Sequence, residues 1–440
     1  MYQISEQAQA VLQKLETAGY EAYLVGGCVR DLLLGKTPDD WDITTSAKPE
    51  ETMTLFGEQA VATGLQHGTV TVVMAHKHME VTTYRTETTY GDFRHPDAVH
   101  FTSSLEEDLA RRDFTVNAIA MDLRGTLIDP FGGREDLENG VLRCVGAPEK
   151  RFSEDALRMM RALRFSSVLG FELETETARA IHAHCTLLEN IAMERLRVEL
   201  LKLLCGQDIV RILLEFSDVL GVFMPEILPS VGCDQKNFHH IYDVWEHIVR
   251  TVGYIRPDPV LRMTMLLHDL GKPYCMTIDA EGVGHFRGHA ESSCELGHDI
   301  LTRLRFDTES AHRILTLVKW HDVPVEETER AVRKLLNKLG VQAVRDLFEV
   351  KRADNLAQAP EFLGRQQQID RLEAILKTLL EQDACFSLKH LAVNGNDLKE
   401  LGLSGREIGQ MLEQLLNLVL EEQLPNERDV LLNQAKQFKN

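Results

Sequence analysis

The sequence predicts an α+β chain, with an α/β head followed by all-α modules. Three observations carry that prediction. Strand-like and helix-like segments alternate over roughly the first 130 residues, and a turn cluster, Asp129-Pro130-Phe131-Gly132-Gly133, ends the alternation. From there apolar residues recur at spacings of three and four almost to the end.

The elements follow in order. The opening segment MYQISEQAQAVLQKLETAGY sets Ile4, Ala8, Val11, Leu12 and Leu15 at helical spacing. It is polar and acidic, and is expected to be neither a signal nor a transit peptide. Ala22–Val25 reads as a short apolar strand ending in Gly26-Gly27, and 29–34 as a helix of one to two turns stopped by Gly35. Trp41–Thr45, Thr69–Met74 and 79–85 are rich in β-branched residues and read as strands. Beyond the turn cluster, 154–169, Met193–Leu204 and 211–220 show helical periodicity. The stretch 234–354 is rich in histidine; Pro360 and the loop 386–396 mark a boundary before a final helical tail.

Composition bounds the class. At 440 residues, 44% hydrophobic, 26% charged and 6% aromatic, the chain reads as a soluble globular protein of several domains. No apolar run approaches the roughly 18 residues of a membrane span. Eight cysteines, at 28, 144, 185, 205, 233, 275, 294 and 385, lack any paired spacing, which points to a reducing, cytoplasmic compartment without disulfides. A formal net charge of −20 counts against a nucleic-acid partner. The motifs overrule it, because arginines stand at chosen positions (30, 112, 158, 161 and 164) and predict a basic inner groove on an acidic exterior.

Strand, Gly26-Gly27, helix is a phosphate-cradling arrangement: glycine lets the backbone approach closely and the helix start offers free N–H groups. Nearby, Asp40 and Asp42 are two apart, so on a strand they project to one face. Two such carboxylates repel unless a cation lies between them, and an oxygen-rich site of this kind suits Mg²⁺ bound jointly with substrate phosphates. The bland alternative is a solvated acidic loop. Glu80, inside Met79-Glu80-Val81-Thr82, is a third candidate ligand or else a solvent-facing strand residue. Further on, Asp155 and Arg158 are three apart and would share a helix face. Cytosine and adenine each present a ring-nitrogen acceptor beside an amine donor, whereas uracil and guanine present the reverse. An Asp–Arg pair therefore favours C and A, with an ordinary surface ion pair as the alternative. Arg161 and Arg164 extend that face, and such a row calls for anions to meet it.

The motifs GGCVRDLLLGKTPDDWDITTSAKPEE, RRDFTVNAIAMD, DPFGGREDL, RFSEDALRMMRALRF and ERLRVELLKLL, in this order, resemble the class II tRNA nucleotidyltransferases, the family of CCA-adding enzymes and poly(A) polymerases. The tail AVNGNDLKELGLSGREIG resembles the same family. The resemblance implies a small mixed-sheet, DNA polymerase beta-like head (1–135), a helical neck with a base-selecting helix (136–205), an all-α body (206–375) and a tRNA-binding tail (376–440). It implies Mg²⁺-dependent, template-independent addition of CCA to tRNA from CTP and ATP, with pyrophosphate leaving. Asp40, Asp42 and Glu80 would be catalytic, the first two as Mg²⁺ ligands. Gly26, Gly27 and Arg30 would meet the triphosphate; Arg112 and Asp113 would contact ribose and phosphate, supported by Asn117. Asp155, Arg158, Arg161 and Arg164 would bind and select the base. YRTETTYGDFRHP (84–96) resembles the family's mobile loop associated with adding the final A. A-adding, CC-adding and poly(A)-polymerase activities stay open as alternatives.

The segments HHIYDVWEH, LLHDLGKP, HFRGHAE, KWHD and KRADN resemble the HD superfamily of metal phosphohydrolases. His268-Asp269 is the signature, a polar pair expected inside an apolar helix at 261–270, where metal ligation supplies its reason. The resemblance implies His247 and Asp354 as further ligands, with His289 and His321 added in two-metal members. Mn²⁺, Ni²⁺, Co²⁺ and Mg²⁺ all suit such a site. His240, His285, His298 and His312 are expected to be structural or exposed. The implied activity is hydrolysis of phosphoesters, for example 2′,3′-cyclic phosphates on RNA ends; alternatively the module only shapes the tRNA-binding body. A stand-alone phosphohydrolase with the head as nucleotide sensor, and a tRNA-binding chaperone without turnover, are the competing classes. The chain is expected to be a monomer or homodimer with no membrane partner.

Overall fold

Ser5 starts the first helix by accepting the Ala8 N–H, and α1 (Glu6–Thr17) buries Ala8, Val11, Leu12 and Leu15 along one face. The computed structural model describes residues 2–87 and 99–439 and resolves the chain into two units, Met1–Leu228 and Pro229–Asn440.

In the first unit, α1 leads into β1 (Ala22–Val25), α2 (Gly27–Leu33), β2 (Trp41–Thr45), α3 (Pro49–Phe56), β3 (Ala60–Gly64), β4 (Thr69–Met74) and β5 (Lys77–Thr83). A hairpin of β6 (Arg85–Glu87) and β7 (Val99–Phe101), then α4 (Leu105–Ala110), β8 (Ala120–Met121) and β9 (Leu127–Ile128), complete the head. Seven strands form one mixed sheet in the order β3-β4-β5-β2-β1-β8-β9. β2 and β5 run parallel, in a register that sets Asp42 beside Glu80. The other neighbours in this sheet are antiparallel. The two-residue turn between β4 and β5 holds Ala75 at φ 48° and His76 at φ 62°. The strand expected at 79–85 begins earlier and stops at Thr83. Tyr84, its ring fully buried, gives its N–H to Thr45 O, and Arg85 leaves the sheet to pair with Phe101. Residues 88–96 of the 84–96 loop lie outside the described residues.

The unit continues with α5 (Gly133–Asn139), β10 (Val141–Leu142), α6 (Pro148–Glu154), α7 (Leu157–Leu169), β11 (Glu172–Leu173), α8 (Thr175–His184), α9 (Met193–Leu204), α10 (Ile209–Glu215) and α11 (Ser217–Gly221). α7 packs on α9 and α6 on α8. The single helix expected over 154–169 is broken: Asp155 is extended (φ −138°, ψ 104°) and its carboxylate accepts the Leu157 N–H, restarting the chain as α7. A local side-chain bond competes here with the helix ladder. The 211–220 helix breaks likewise at Phe216, which is buried.

The second unit is helical apart from one small hairpin: α12 (Val244–Tyr254), α13 (Pro259–Leu267), α14 (Lys272–Cys275), β12 (Thr277–Ile278), β13 (Gly284–His285), α15 (His289–Arg303), α16 (Thr308–Trp320), α17 (Glu329–Leu339), α18 (Val341–Leu356), α19 (Arg365–Glu381), α20 (Gly395–Glu400), α21 (Arg406–Leu420) and α22 (Arg428–Lys439). α13 packs against α12, α15, α16 and α18. Contrary to expectation, His268-Asp269 lies just past the end of α13 and not within a helix. The helix stops because Gly271 passes against α15: a Cβ there would sit 2.4 Å from His289 O, and the Gly271 N–H bonds Ser293 Oγ. Leu398, Leu415 and Leu431 form a separate core under α20–α22. All eight cysteines are free, and among the described residues no helix is long and apolar enough to cross a membrane.

Candidate active sites

In the head, the β1–α2 turn, the start of β2 and the middle of β5 converge. Gly26 is held at φ 76°, and a Cβ on it would lie 3.1 Å from Arg112 Nη1 and 3.6 Å from Asp42 Oδ2. Glycine is required here by backbone conformation and by space together. Asp42 is pushed up to about 6, chiefly by burial; Arg112 opposes the rise while Glu80 and Asp40 add to it. Asp40 itself is exposed and precedes β2, so it reaches Asp42 from the strand's end and not as a paired strand residue. Asp42 is half-buried while Asp40 and Glu80 are exposed. The three carboxylates act on one another through charge without forming a close ligand group among the described residues. Carboxylate oxygen is the donor type that Mg²⁺ prefers. Arg112 supports the fit to an anionic substrate: its Nε is buried and has no hydrogen-bond partner among the described residues.

Behind this lies a ring of guanidinium groups that the sequence named singly. Arg30 gives Nη1–H to Asn117 Oδ1, and Asn117 in turn donates to Asp113. Asp113 also accepts both Nε and Nη2 of Arg161, at 2.9 and 2.7 Å. Burial works against its charge, but Arg161, Asn117 and Arg158 prevail and hold it down at about 2. Arg164 lies 3.1 Å from Glu199. Arg30, Arg161 and Arg164 all stand over the Phe165 ring, at 5.1, 5.4 and 4.0 Å from its centroid. Phe165 was not singled out from sequence, although it closes the RFSEDALRMMRALRF motif. The expectation that the arginine row waits for external anions is corrected: protein carboxylates already meet each member.

Nor do Asp155 and Arg158 share a helix face, because Asp155 is the break between α6 and α7. Asp155 instead pairs with Arg195 at 3.3 Å, and Arg158 donates to Glu154 Oε2 at 2.6 Å and to the Arg111 carbonyl. Nothing in the sequence marks Glu154 and Arg195 as their partners; both lie in the quoted motifs, but the pairing depends on the break.

The second unit gathers all six of its expected ligands. His247, His268, Asp269 and Asp354 have ligand atoms within 4.8 Å of one another, and so do Asp269, His289 and His321. The four histidines come from α12, the end of α13, the start of α15 and the end of α16, and Asp354 from α18. Asp269 Oδ2 faces His247 and His268 at 3.2 and 3.3 Å; Oδ1 faces His289 and His321 at 3.3 and 3.5 Å. Each histidine directs Nδ1 at a backbone carbonyl: Ala357 for His247, Met265 for His268, Phe286 for His289 and Val318 for His321. A carbonyl only accepts, so each Nδ1 carries a proton and each Nε2 is turned into the cluster, where His247 Nε2 meets Asp354 Oδ1 at 3.0 Å and the Nε2 atoms of His289 and His321 meet at 3.1 Å. His268 Nε2 and Asp269 Oδ1 are buried without hydrogen-bond partners among the described residues, and Asp269 Oδ2 lies 2.7 Å from Lys272 Nζ. Such a donor set suits a divalent metal, which His247, His268, Asp269, His289, His321 and Asp354 would hold. Burial opposes the charge on Asp269, yet His268 and Lys272 hold it well below the usual carboxylate range. Of the remaining histidines, His285 pairs with Asp279, while His298 and His312 are exposed. His240 does more than expected: it packs edge-on against His247 and lines a cavity together with Asp269, His289, His321 and Asp354.

Comparison with known proteins gives these centres a context. The poly(A) polymerase head-domain family matches residues 22–143. A family described as "Probable RNA and SrmB- binding site of polymerase A" matches 170–230, and tRNA nucleotidyltransferase domain 2 matches 298–435. The CCA-adding enzyme of Lactiplantibacillus plantarum is 38% identical over 439 residues, covering 98% of this chain and 95% of that one. The CCA-adding enzyme of Levilactobacillus brevis is 36% identical over 430 residues, covering 97% and 96%. The crystal structure of the Bacillus stearothermophilus CCA-adding enzyme in complex with CTP aligns with a TM-score of 0.75 at 32% identity, over 99% of this chain and 97% of that one. End to end, in sequence and in fold, the chain belongs to the CCA-adding enzymes of the tRNA nucleotidyltransferase/poly(A) polymerase family.

Proposed function

We infer that the protein builds and repairs the 3′-terminal CCA of tRNA from CTP and ATP, without a template and with release of pyrophosphate. The observation that carries this reading is Asp42 set beside Glu80 in the β2–β5 register, against Gly26 and Arg112, in a chain similar to CCA-adding enzymes over its full length. Asp40 and Asp42, with Glu80, would hold Mg²⁺, which when bound supplies Lewis-acid activation of the RNA 3′-hydroxyl and neutralises triphosphate charge. Gly26 and Gly27 let the triphosphate approach the backbone, and Arg112 and Arg30 offer donors to its oxygens. The hydroxyl oxygen attacks the α-phosphorus, the bond to the β-phosphate oxygen breaks, and pyrophosphate departs. Asp113, its charge met by Arg161, fixes Arg161 and, through Asn117, Arg30 beside Phe165, while Glu199 holds Arg164. Asp155 and Arg158 select the base; on entry the nucleotide exchanges with Arg195 and Glu154, which hold those two side chains within the protein. The head 1–135, neck 136–205, body 206–375 and tRNA-binding tail 376–440 describe the division of labour, in a cytoplasmic setting that eight free thiols favour. Incubation of tRNA lacking CCA with CTP and ATP tests the reading: extension by three nucleotides and then arrest is expected, and a homopolymer or A alone overturns it.

A second activity is favoured by the convergence of six ligands in the other unit. We propose that this HD-type centre hydrolyses phosphoesters such as those on RNA ends. His247, His268, Asp269, His289, His321 and Asp354 would hold two divalent metals, which when bound activate water as nucleophile. Water oxygen attacks phosphorus, the P–O ester bond breaks, and the leaving oxygen is protonated. Opening of an RNA 2′,3′-cyclic phosphate to the monoester, and phosphate release from a terminal monoester, in the presence of Mn²⁺, are expected in the natural protein and absent in His268→Ala.

A further inference from the structure

Phe238 is 67% exposed, the most exposed large apolar side chain among the described residues. It is not a stray surface ring. Its centroid lies 4.4 Å from that of His239 and 5.6 Å from that of Phe362, and His239 and Phe362 meet at 3.9 Å. The loop carrying it is clamped from two sides. The Gly284 N–H donates to Lys236 O, Asn237 Nδ2 donates to Gly284 O, and the Ala359 N–H donates to His239 O, at 2.8, 3.0 and 2.9 Å. Lys236 is held at φ 49°, a left-handed conformation that a lysine keeps only where its surroundings fix it. The three rings, inclined to one another, therefore form a fixed aromatic shelf of which Phe238 is the exposed member.

That shelf adjoins the metal-ligand cluster. His239 lines a cavity of about 290 Å³ shared with Asp269, His289 and Asp354. Arg287 and Arg365 line the same cavity; both are exposed and neither has an ion-pair partner among the described residues. Unpaired guanidinium groups at the rim of a site built for cations serve an anion, and their forked donors match phosphate oxygens. A flat apolar face beside them serves a ring, since base–aromatic stacking is tolerant of base identity.

We propose that this rim is a nucleotide-recognition site, in which Phe238 with His239 stacks a nucleobase while Arg287 and Arg365 hold its phosphate. The cluster thereby acts on nucleoside phosphates in preference to small phosphoesters. This rests on the phosphohydrolase reading for turnover, but binding can be tested apart from it. Full-length protein in Mg²⁺ is titrated with the non-hydrolysable 5′-methylenephosphonate of 2-aminopurine riboside, whose fluorescence falls on stacking. A second arm uses a hexaribonucleotide ending in 2-aminopurine with a terminal phosphorothioate, so that free nucleotide and RNA end are distinguished. Quenching is expected with at least one probe, and the tighter one identifies the source. Phe238→Ala should remove the quench and weaken binding about tenfold, with Phe238→Tyr restoring both. Arg287→Ala and Arg365→Ala should each weaken binding about tenfold while leaving the quench at saturation. Thermal melting of all variants should match the parent. Equal quench and affinity in Phe238→Ala overturn the proposal. Separately, Mn²⁺-dependent hydrolysis is compared between a nucleoside phosphate and p-nitrophenyl phosphate. If the parent binds and quenches but hydrolyses neither, the phosphohydrolase reading falls and recognition stands. If it hydrolyses both and Phe238→Ala leaves their ratio unchanged, recognition falls and hydrolysis stands.

Discussion

At the residue scale, the head depends on a few atoms whose replacement has calculable consequences. Asp42→Asn keeps the shape of the side chain and removes its charge from beside Glu80 and Asp40. Metal-assisted stabilisation worth several kcal/mol should go with it, lowering CTP incorporation on the order of a thousandfold with unchanged melting temperature. Gly26→Ala forces a methyl group to within 3.1 Å of Arg112 at φ 76°. It should destabilise the protein by roughly 1–3 kcal/mol in urea unfolding and impair addition more than the melting shift alone explains. Asp113 links pH to stability. Its folded value of about 2 lies below its ordinary 3.8, so the contribution is full above about pH 4 and is lost as pH falls through 2. Asp113→Asn should therefore be less stable by roughly 2 kcal/mol at neutral pH, with the gap to the parent closing toward pH 2 in acid unfolding.

At the scale of elements, the departures from sequence expectation share a cause. β1, β2, β4 and the helix Met193–Leu204 stand where composition and period place them, because their apolar pattern is uninterrupted. β3, with its exposed Ala-Val-Ala-Thr-Gly stretch, carries little pattern to find. The breaks at Asp155 and at His268 are invisible to periodicity, since a side-chain cap and a tertiary contact at Gly271 cut segments whose apolar spacing continues. Single site residues were legible by chemistry; their partners were not, because Glu154, Arg195 and Glu199 acquire meaning only once helices pack. Asp155→Ala tests the break and the base selector together. It should relax the preference for CTP and ATP over UTP and GTP by about tenfold to a hundredfold, measured by misincorporation, while primer extension persists.

At the scale of the whole molecule, the two candidate centres lie in two separate compact units, the ligand cluster in the second. Substitutions so arranged should act independently. His268→Ala should leave CCA addition within a factor of about two of the parent, and Asp42→Asn should leave phosphoester hydrolysis equally untouched. Metal loading gives a physical counterpart. Mn²⁺ at about a hundredfold excess over its dissociation constant should stabilise the second unit by roughly 2.7 kcal/mol. In calorimetry this raises one unfolding transition, and the rise should vanish in His268→Ala.

The tight turn at Ala75-His76 has a consequence for how this gene can change length. Two residues at positive φ join β4 to β5, and that joint sets which side of the sheet Glu80 faces. Deleting one turn residue flips every side chain of β5, turning Glu80 away from Asp42 while leaving the backbone ladder able to re-form. Insertions between α3 and β3, by contrast, do not reach that register. The reading frame of the site is thus kept by a turn that touches no substrate, and in-frame codon loss there should be as damaging to catalysis as loss of an aspartate.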